Sequence, residues 1–197
     1  MKDLLFATSN LNKARELEGL TAGLPVRILT LKDFPDLVSP PETGTTFQEN
    51  ALIKARAATA ATGLWALADD SGLTVDALNG EPGVYSARYS GPKADANSNN
   101  AKLLKAMANV MAENRQAQFR AVLALTLPQG EEYYSEGVTA GEILREYRGN
   151  NGFGYDPLFY LPQLGKTMAE LSLAEKNQIS HRAKAFQGIL DIIKSLL

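Results

Sequence analysis

Short apolar runs that alternate with helix-like segments restrict this chain to an α/β arrangement. LLFA (Leu4–Ala7) is a compact apolar run bounded by polar residues, the pattern of a buried strand. TSNLNKARELEGL follows at once: Thr8, Ser9 and Asn10 are helix N-cap types, and Leu17 and Leu20 supply a sparse helical stripe. VRILTL predicts a second strand, and the Pro- and Thr-rich DFPDLVSPPETGTT a loop. FQENALIKARAATAATG is Ala-rich, sets Phe47, Ala51, Ala55 and Ala58 at helical spacing, and stops at Gly63. LWALA (Leu64–Ala68) is the next strand, and it ends in ADDSGL.

From Gly72 to Gly91 the pattern is that of a loop, with NGEPG a strong turn signal. ANSNNAKLLKAMANVM predicts a helix from about Asn99, and AQFRAVLALTL and EEYYSEGVTAGEIL predict neighbouring strands. GNNGFGYDPLFYLP is a glycine-rich loop running into an apolar strand. Two helical pieces close the chain. Ser172 and Glu175 have capping-box spacing, and Ser180 is placed to cap a last helix striped by Phe186, Ile189, Leu190, Ile193 and Leu197. Helices alternating with strands, then consecutive strands, predict an α/β fold: a mixed central sheet flanked by helices. With no repeat, linker or low-complexity segment, a single two-lobed domain over 1–197 is the economical reading.

Composition removes several functions. There is no cysteine among 197 residues, so disulfides, zinc–thiolate sites and Cys nucleophiles are excluded. The formal net charge of −2 argues against coating a nucleic-acid polymer or a membrane by bulk electrostatics. The opening MKDLLFATSN is not a signal peptide, and no apolar run approaches the roughly 20 residues that span a bilayer. The expected location is cytoplasmic.

Several groups of residues carry chemical potential. In Thr8–Lys13 (Thr8, Ser9, Asn10, Leu11, Asn12, Lys13) a strand, a polar loop, a helix start and a lysine combine, which suits phosphate; the same residues also serve as ordinary helix caps. Glu42 lies in the loop before the Ala-rich helix, where Asn50 and Lys54 share a face. Asp69 and Asp70 are adjacent like charges, whose repulsion water, a metal ion or a cationic ligand must relieve. In extended backbone they would point to opposite faces. Only a turn at the strand end would bring both to one site, where hard oxygen ligands suit Mg²⁺. GFGYDP offers close backbone approach through its glycines and flat rings from Phe153 and Tyr155. EKNQISHRAKAF gathers Lys176, His181 and Arg182, donors for base carbonyls or phosphates.

In this order, FATSNLNKARELE, PETGTTFQENALIKA, ADDSGL, GEPGVYSARYSG, GFGYDPLF and AELSLAEKNQISHRAKA resemble the inosine triphosphate pyrophosphatase family, nearly end to end. The resemblance implies a nucleotide cleft between two lobes, and hydrolysis of ITP, dITP and XTP to the monophosphate and pyrophosphate, with Mg²⁺, by a homodimer. Carried over by position, Thr8 to Lys13 bind the phosphate chain with Lys54. Asp70 is the general base and a metal ligand, Asp69 supports it, and Ser71 touches substrate. Phe153, Gly154, Tyr155 and Asp156 form part of the nucleotide pocket, completed by Lys176, His181 and Arg182. Many bacterial relatives carry an acid before the E-T-G where this sequence has Pro41, which leaves Glu42 as the second metal ligand beside Asp70. A nucleotide-binding module without catalysis would not need ADDSGL and Glu42, so an enzyme is favoured.

Overall fold

The computed structural model describes residues 2–10, 12–14, 21 and 25–197. Its strands are β1 (Lys2–Phe6), β2 (Val26–Thr30), β3 (Trp65–Val75), β4 (Gln116–Thr126), β5 (Glu132–Ile143), β6 (Phe159–Leu161) and β7 (Lys166–Thr167). Four described helices are α1 (Phe47–Thr62), α2 (Ala96–Ala106), α3 (Leu173–Ile179) and α4 (His181–Leu196). The sheet order is β2-β1-β3-β4-β5-β6-β7. β1 is parallel to β2 and β3, while β6 is antiparallel to β5 and β7, so the sheet is mixed as expected. Among the described residues no helix is long and apolar enough to cross a membrane.

Contacts divide the chain into two compact units. The first comprises Met1–Asp70, Ala121–Gly137 and His181–Leu197. In it, strand alternation sorts the core into two faces. Leu4, Phe6, Trp65, Leu67, Leu123 and Leu125 cluster with Ala185, Phe186, Ile189 and Ile193 of α4. Leu5, Ala66, Ala68, Val122 and Ala124 cluster with Ala51, Ala55 and Ala58 of α1. Small alanines let α1 lie close to the strands. Thr46 and Glu49 form a capping box at its start, and Gly63, at φ 67°, ends it as the sequence implies. The α4 stripe is buried at Phe186, Ile189 and Ile193, but Leu197 is exposed.

The second unit comprises Ser71–Arg120 and Val138–Ser180. Its core joins Leu73, Val75, Leu103, Met107, Phe119, Ile143, Leu158 and Phe159. The α2 helix begins at Ala96, earlier than predicted, because Asp95 and Ser98 form a capping box. The predicted Ser172–Glu175 box opens α3.

Candidate active site

In the first unit the site grows out of the alternation of β3. Trp65 and Leu67 face α4, so Asp69, the next residue of that parity, meets the start of that helix. Its Oδ2 accepts a hydrogen bond from Arg182 Nε at 3.1 Å, and its Oδ1 lies 3.0 Å from Lys13 Nζ. Ala66 and Ala68 face α1, so Asp70 meets Lys54 of that helix, 3.2 Å from Nζ to Oδ1. Lys54 also donates to Glu42 Oε1 at 2.8 Å. Three cations and three carboxylates are thus interleaved, which relieves the repulsion between the adjacent aspartates.

This corrects the expectation that the strand ends at the aspartates. β3 continues through Ser71 and Gly72 to Val75. The backbone there is satisfied as strand: Ser86 Oγ accepts from Leu73 N–H at 2.9 Å, and the Glu81 carbonyl accepts from Val75 N–H at 3.1 Å. Leu73 and Val75 are fully buried, and that burial outweighs the turn preference of Ser-Gly. Asp69 and Asp70 therefore do not converge through a turn. Ser71 is half-buried in β3, at the start of the second unit.

The two carboxylates live in opposite electrostatic conditions. Burial pushes Asp69 upward, but Lys13, Arg182 and Lys54 outweigh it and hold its pKa far below the ordinary aspartate range. Burial also raises Asp70; Lys54 and Lys13 oppose the shift, Glu42 and Asp69 add to it, and the net direction is up. Lys54 is depressed by burial yet raised overall by Asp70, Asp69 and Glu42. Lys13 is lowered, chiefly by burial, despite Asp69. Asp70 Oδ2 is buried with no hydrogen-bond partner among the described residues. A buried carboxylate oxygen left over in this way is a natural metal ligand or proton acceptor.

In the loop before Lys13, Asn10 Oδ1 accepts from the backbone N–H groups of Asn12 and Lys13, at 3.0 and 3.3 Å. Asn10 therefore caps the helical turn at Asn12–Ala14, and those two amides are engaged within the loop. Thr8 Oγ1 accepts from Asn10 N–H at 3.2 Å, and Ser9 is exposed. Leu11 lies outside the described residues. His181 is buried as the first residue of α4, next to Arg182.

A second constellation lies in the second unit. Asp156 Oδ2 accepts from Phe153 N–H at 2.8 Å and from Lys176 Nζ at 2.7 Å. Lys176 Nζ sits 4.7 Å from the centroid of the Phe153 ring. Gly152, at φ 75°, makes this possible, because a Cβ there would overlap Asp156 Oδ2. Phe153 and Gly154 are half-buried.

The Ham1 family model matches residues 4–192. The chain belongs to the Ham1 family. It is 52% identical over 191 residues to the dITP/XTP pyrophosphatase of Geobacter sulfurreducens, covering 97% of this chain and 96% of that one. It is also 52% identical over 195 residues to the dITP/XTP pyrophosphatase of Elusimicrobium minutum, covering 97% and 99%. Among solved structures, a HAM1 protein from Coxiella burnetii superposes with a TM-score of 0.91 at 43% identity, covering 99% of this chain and 100% of that one. The Staphylococcus aureus Ham1 protein gives 0.89 at 40%, covering 100% of both chains. The family resemblance read from the motifs is borne out.

Two features of this Ham1 chain depart from the sequence reading. The Tyr155 ring is buried in the core of the second unit, and its hydroxyl donates to the Ser86 carbonyl at 2.8 Å. Burial raises its pKa. Of the two aromatic rings proposed as flat surfaces, only Phe153 is partly open. Asn100 was not anticipated: buried on α2, it donates through Nδ2 to the Gly154 carbonyl at 2.9 Å. Its partner lies 54 residues away, and nothing local in ANSNNAKLL marks it.

Proposed function

We propose that this chain hydrolyses noncanonical purine nucleoside triphosphates, ITP, dITP and XTP, to the monophosphate and pyrophosphate. Its relatives in Geobacter sulfurreducens and Elusimicrobium minutum, both dITP/XTP pyrophosphatases, support the substrate class. The observation that carries the chemistry is Asp70, a buried carboxylate of raised pKa with one oxygen left unpaired beside a lysine and a second acid.

Asp70 Oδ2 accepts the proton of a water that attacks the α-phosphorus. The bond from that phosphorus to the α–β bridging oxygen breaks, and pyrophosphate leaves with the electron pair. Lys13 binds the phosphate chain, and Lys54 places positive charge where the phosphate oxygens gain negative charge. Asp69, held ionised by Arg182 and Lys13, fixes both cations.

Three cations against three carboxylates leave little net positive charge for a triphosphate. Glu42 and Asp70, hard oxygen donors that both reach Lys54, fit Mg²⁺, which takes one or two carboxylates and completes its shell with water and substrate phosphates. Bound there, Mg²⁺ would neutralise developing charge on the phosphate oxygens.

Phe153, carried by Asp156 and topped by Lys176, offers a ring face to the base. Donors from His181, Arg182 or backbone N–H groups favour a 6-keto acceptor over the amino group of adenine. The same reading makes the protein a cytoplasmic homodimer, as the family resemblance implies; light scattering on the purified chain tests the dimer.

A substrate panel decides the central claim. Magnesium-dependent pyrophosphate release from dITP or XTP is expected, with dATP, dGTP and dCTP much poorer. Comparable turnover of ATP refutes the specificity. Binding of ITP without hydrolysis in excess Mg²⁺ refutes catalysis.

A further inference from the structure

We propose that Gly137 is a positioning residue of this site: its missing side chain lets the first turn of α4 lie against β5, and so sets Arg182 onto Asp69. The inference rests on the activity proposed above. A Cβ at Gly137 would overlap the His181 carbonyl oxygen, and would lie 2.5 Å from Ala185 N and 2.9 Å from Lys184 Cβ. His181 O and Ala185 N are backbone atoms of the helix, so no rotamer change relieves the overlap. Gly137 is buried, and its φ lies outside the left-handed region, so space rather than backbone conformation requires glycine.

The same strand and helix meet a second time, and the comparison isolates the effect. Ser135 lies two residues before Gly137 on the same strand face, and Gly188 lies seven residues after His181 along α4. A Cβ at Gly188 would overlap Ser135 Oγ and lie 3.0 Å from Ser135 Cβ. A serine hydroxyl has other rotamers, so turning one side chain relieves the overlap, and the close Cβ contact needs a shift of only a few tenths of an ångström. At Gly137 the helix start itself has to move.

That helix start carries His181 and Arg182. Arg182 is 2% exposed, and its Nε donates to Asp69 Oδ2, while the other Asp69 oxygen holds Lys13. Displacing the first turn of α4 lengthens the Arg182 contact and loosens Asp69 and, through it, Lys13. Asp70 and Lys54 stand on β3 and α1 and keep their places. Gly137 therefore acts on nucleotide binding and leaves the proton acceptor alone.

The test uses the full chain as Gly137→Ala, Gly188→Ala, Arg182→Ala and the Gly137→Ala/Arg182→Ala double variant. Steady-state pyrophosphate release from dITP and thermal melts are measured for each. Gly137→Ala is expected to raise KM roughly tenfold with kcat within about threefold of the parent. Gly188→Ala keeps the parent KM. In the Arg182→Ala background, Gly137→Ala adds nothing further to KM, and its effect on the melt is likewise non-additive. An unchanged KM in Gly137→Ala, a full repeat of its effect in the Arg182→Ala background, or loss of a cooperative melt overturns the proposal. If the parent protein releases no pyrophosphate from dITP or XTP, the proposed function fails instead. The stability cycle between Gly137 and Arg182 needs no substrate and then decides the positioning role by itself.

Discussion

Asp69 and Asp70, neighbours in the chain, leave β3 on opposite faces and meet different lysines, Lys13 at 3.0 Å and Lys54 at 3.2 Å. The separation drives their chemistry apart. One carboxylate is locked ionised between Lys13 and Arg182, and the other is pushed toward protonation with one oxygen unpaired. Pairs of acids whose surroundings split their pKa values in this way commonly divide structural and proton-transfer duties.

Substituting each with asparagine separates those duties. Asp70→Asn is expected to lower kcat by about 100-fold or more, with the melting temperature unchanged or raised, because it removes a buried and poorly solvated charge. Asp69→Asn leaves Lys13 and Arg182 facing a neutral amide and is expected to cost about 3 kcal/mol of stability. Denaturant titration and steady-state kinetics on both variants check the split. Normal turnover in Asp70→Asn removes it from the mechanism.

The pKa of Asp69 also fixes a pH dependence of stability. Its folded value lies below its unfolded one, so the unfolded state binds the proton more tightly. The stabilisation is fully present above the ordinary aspartate pKa of about 3.9. It is lost as pH falls below that value and toward the depressed folded one. Unfolding free energies measured from pH 7 down to 3 are expected to fall more steeply in the parent than in Asp69→Asn. Parallel slopes contradict the assignment.

What the sequence disclosed follows the range of the interactions involved. The α1 helix was legible down to its stop, because Ala periodicity and Gly63 act within a few residues. The continuation of β3 past Asp70 was not, because Ser71-Gly72 is a turn signal locally, and Ser86 and the buried faces of Leu73 and Val75 override it from afar. Asp69 and Asp70 were recognisable as chemically unusual from their adjacency alone. Their partners were not: Arg182 lies 113 residues from Asp69, and no local pattern encodes that pairing. The motifs supplied the residues of the site, and parity along one strand supplied their arrangement.

In the second unit, Asp156 and Lys176 form an ion pair with each side chain only 5% exposed. Removing one partner strands a buried charge. Lys176→Met alone is therefore expected to cost about 3 kcal/mol, and the Asp156→Asn/Lys176→Met double variant is expected to be more stable than the sum of the single losses. Additive losses in a denaturant-based cycle refute the coupling. Because Asp156 also holds Phe153 N–H, Asp156→Asn is expected to raise KM for dITP with a smaller change in kcat.

The two aromatic residues of GFGYDP should answer differently to truncation. Tyr155 is buried among Leu73, Met107 and Phe159, and its hydroxyl is committed to the Ser86 carbonyl. Tyr155→Phe keeps the ring and removes that donor from the buried acceptor, which Asn99 Nδ2 still reaches at 3.3 Å. A loss of about 1 kcal/mol in stability is expected, with KM for dITP unchanged. Phe153 is half-buried, its ring lies under Lys176 Nζ, and it carries the face proposed for the base. Phe153→Ala is expected to raise KM by roughly tenfold, since stacking of one base on an aromatic ring contributes about 1–3 kcal/mol. Melting curves and dITP kinetics on the pair decide the assignment. A KM effect in Tyr155→Phe equal to that in Phe153→Ala would return Tyr155 to the base pocket.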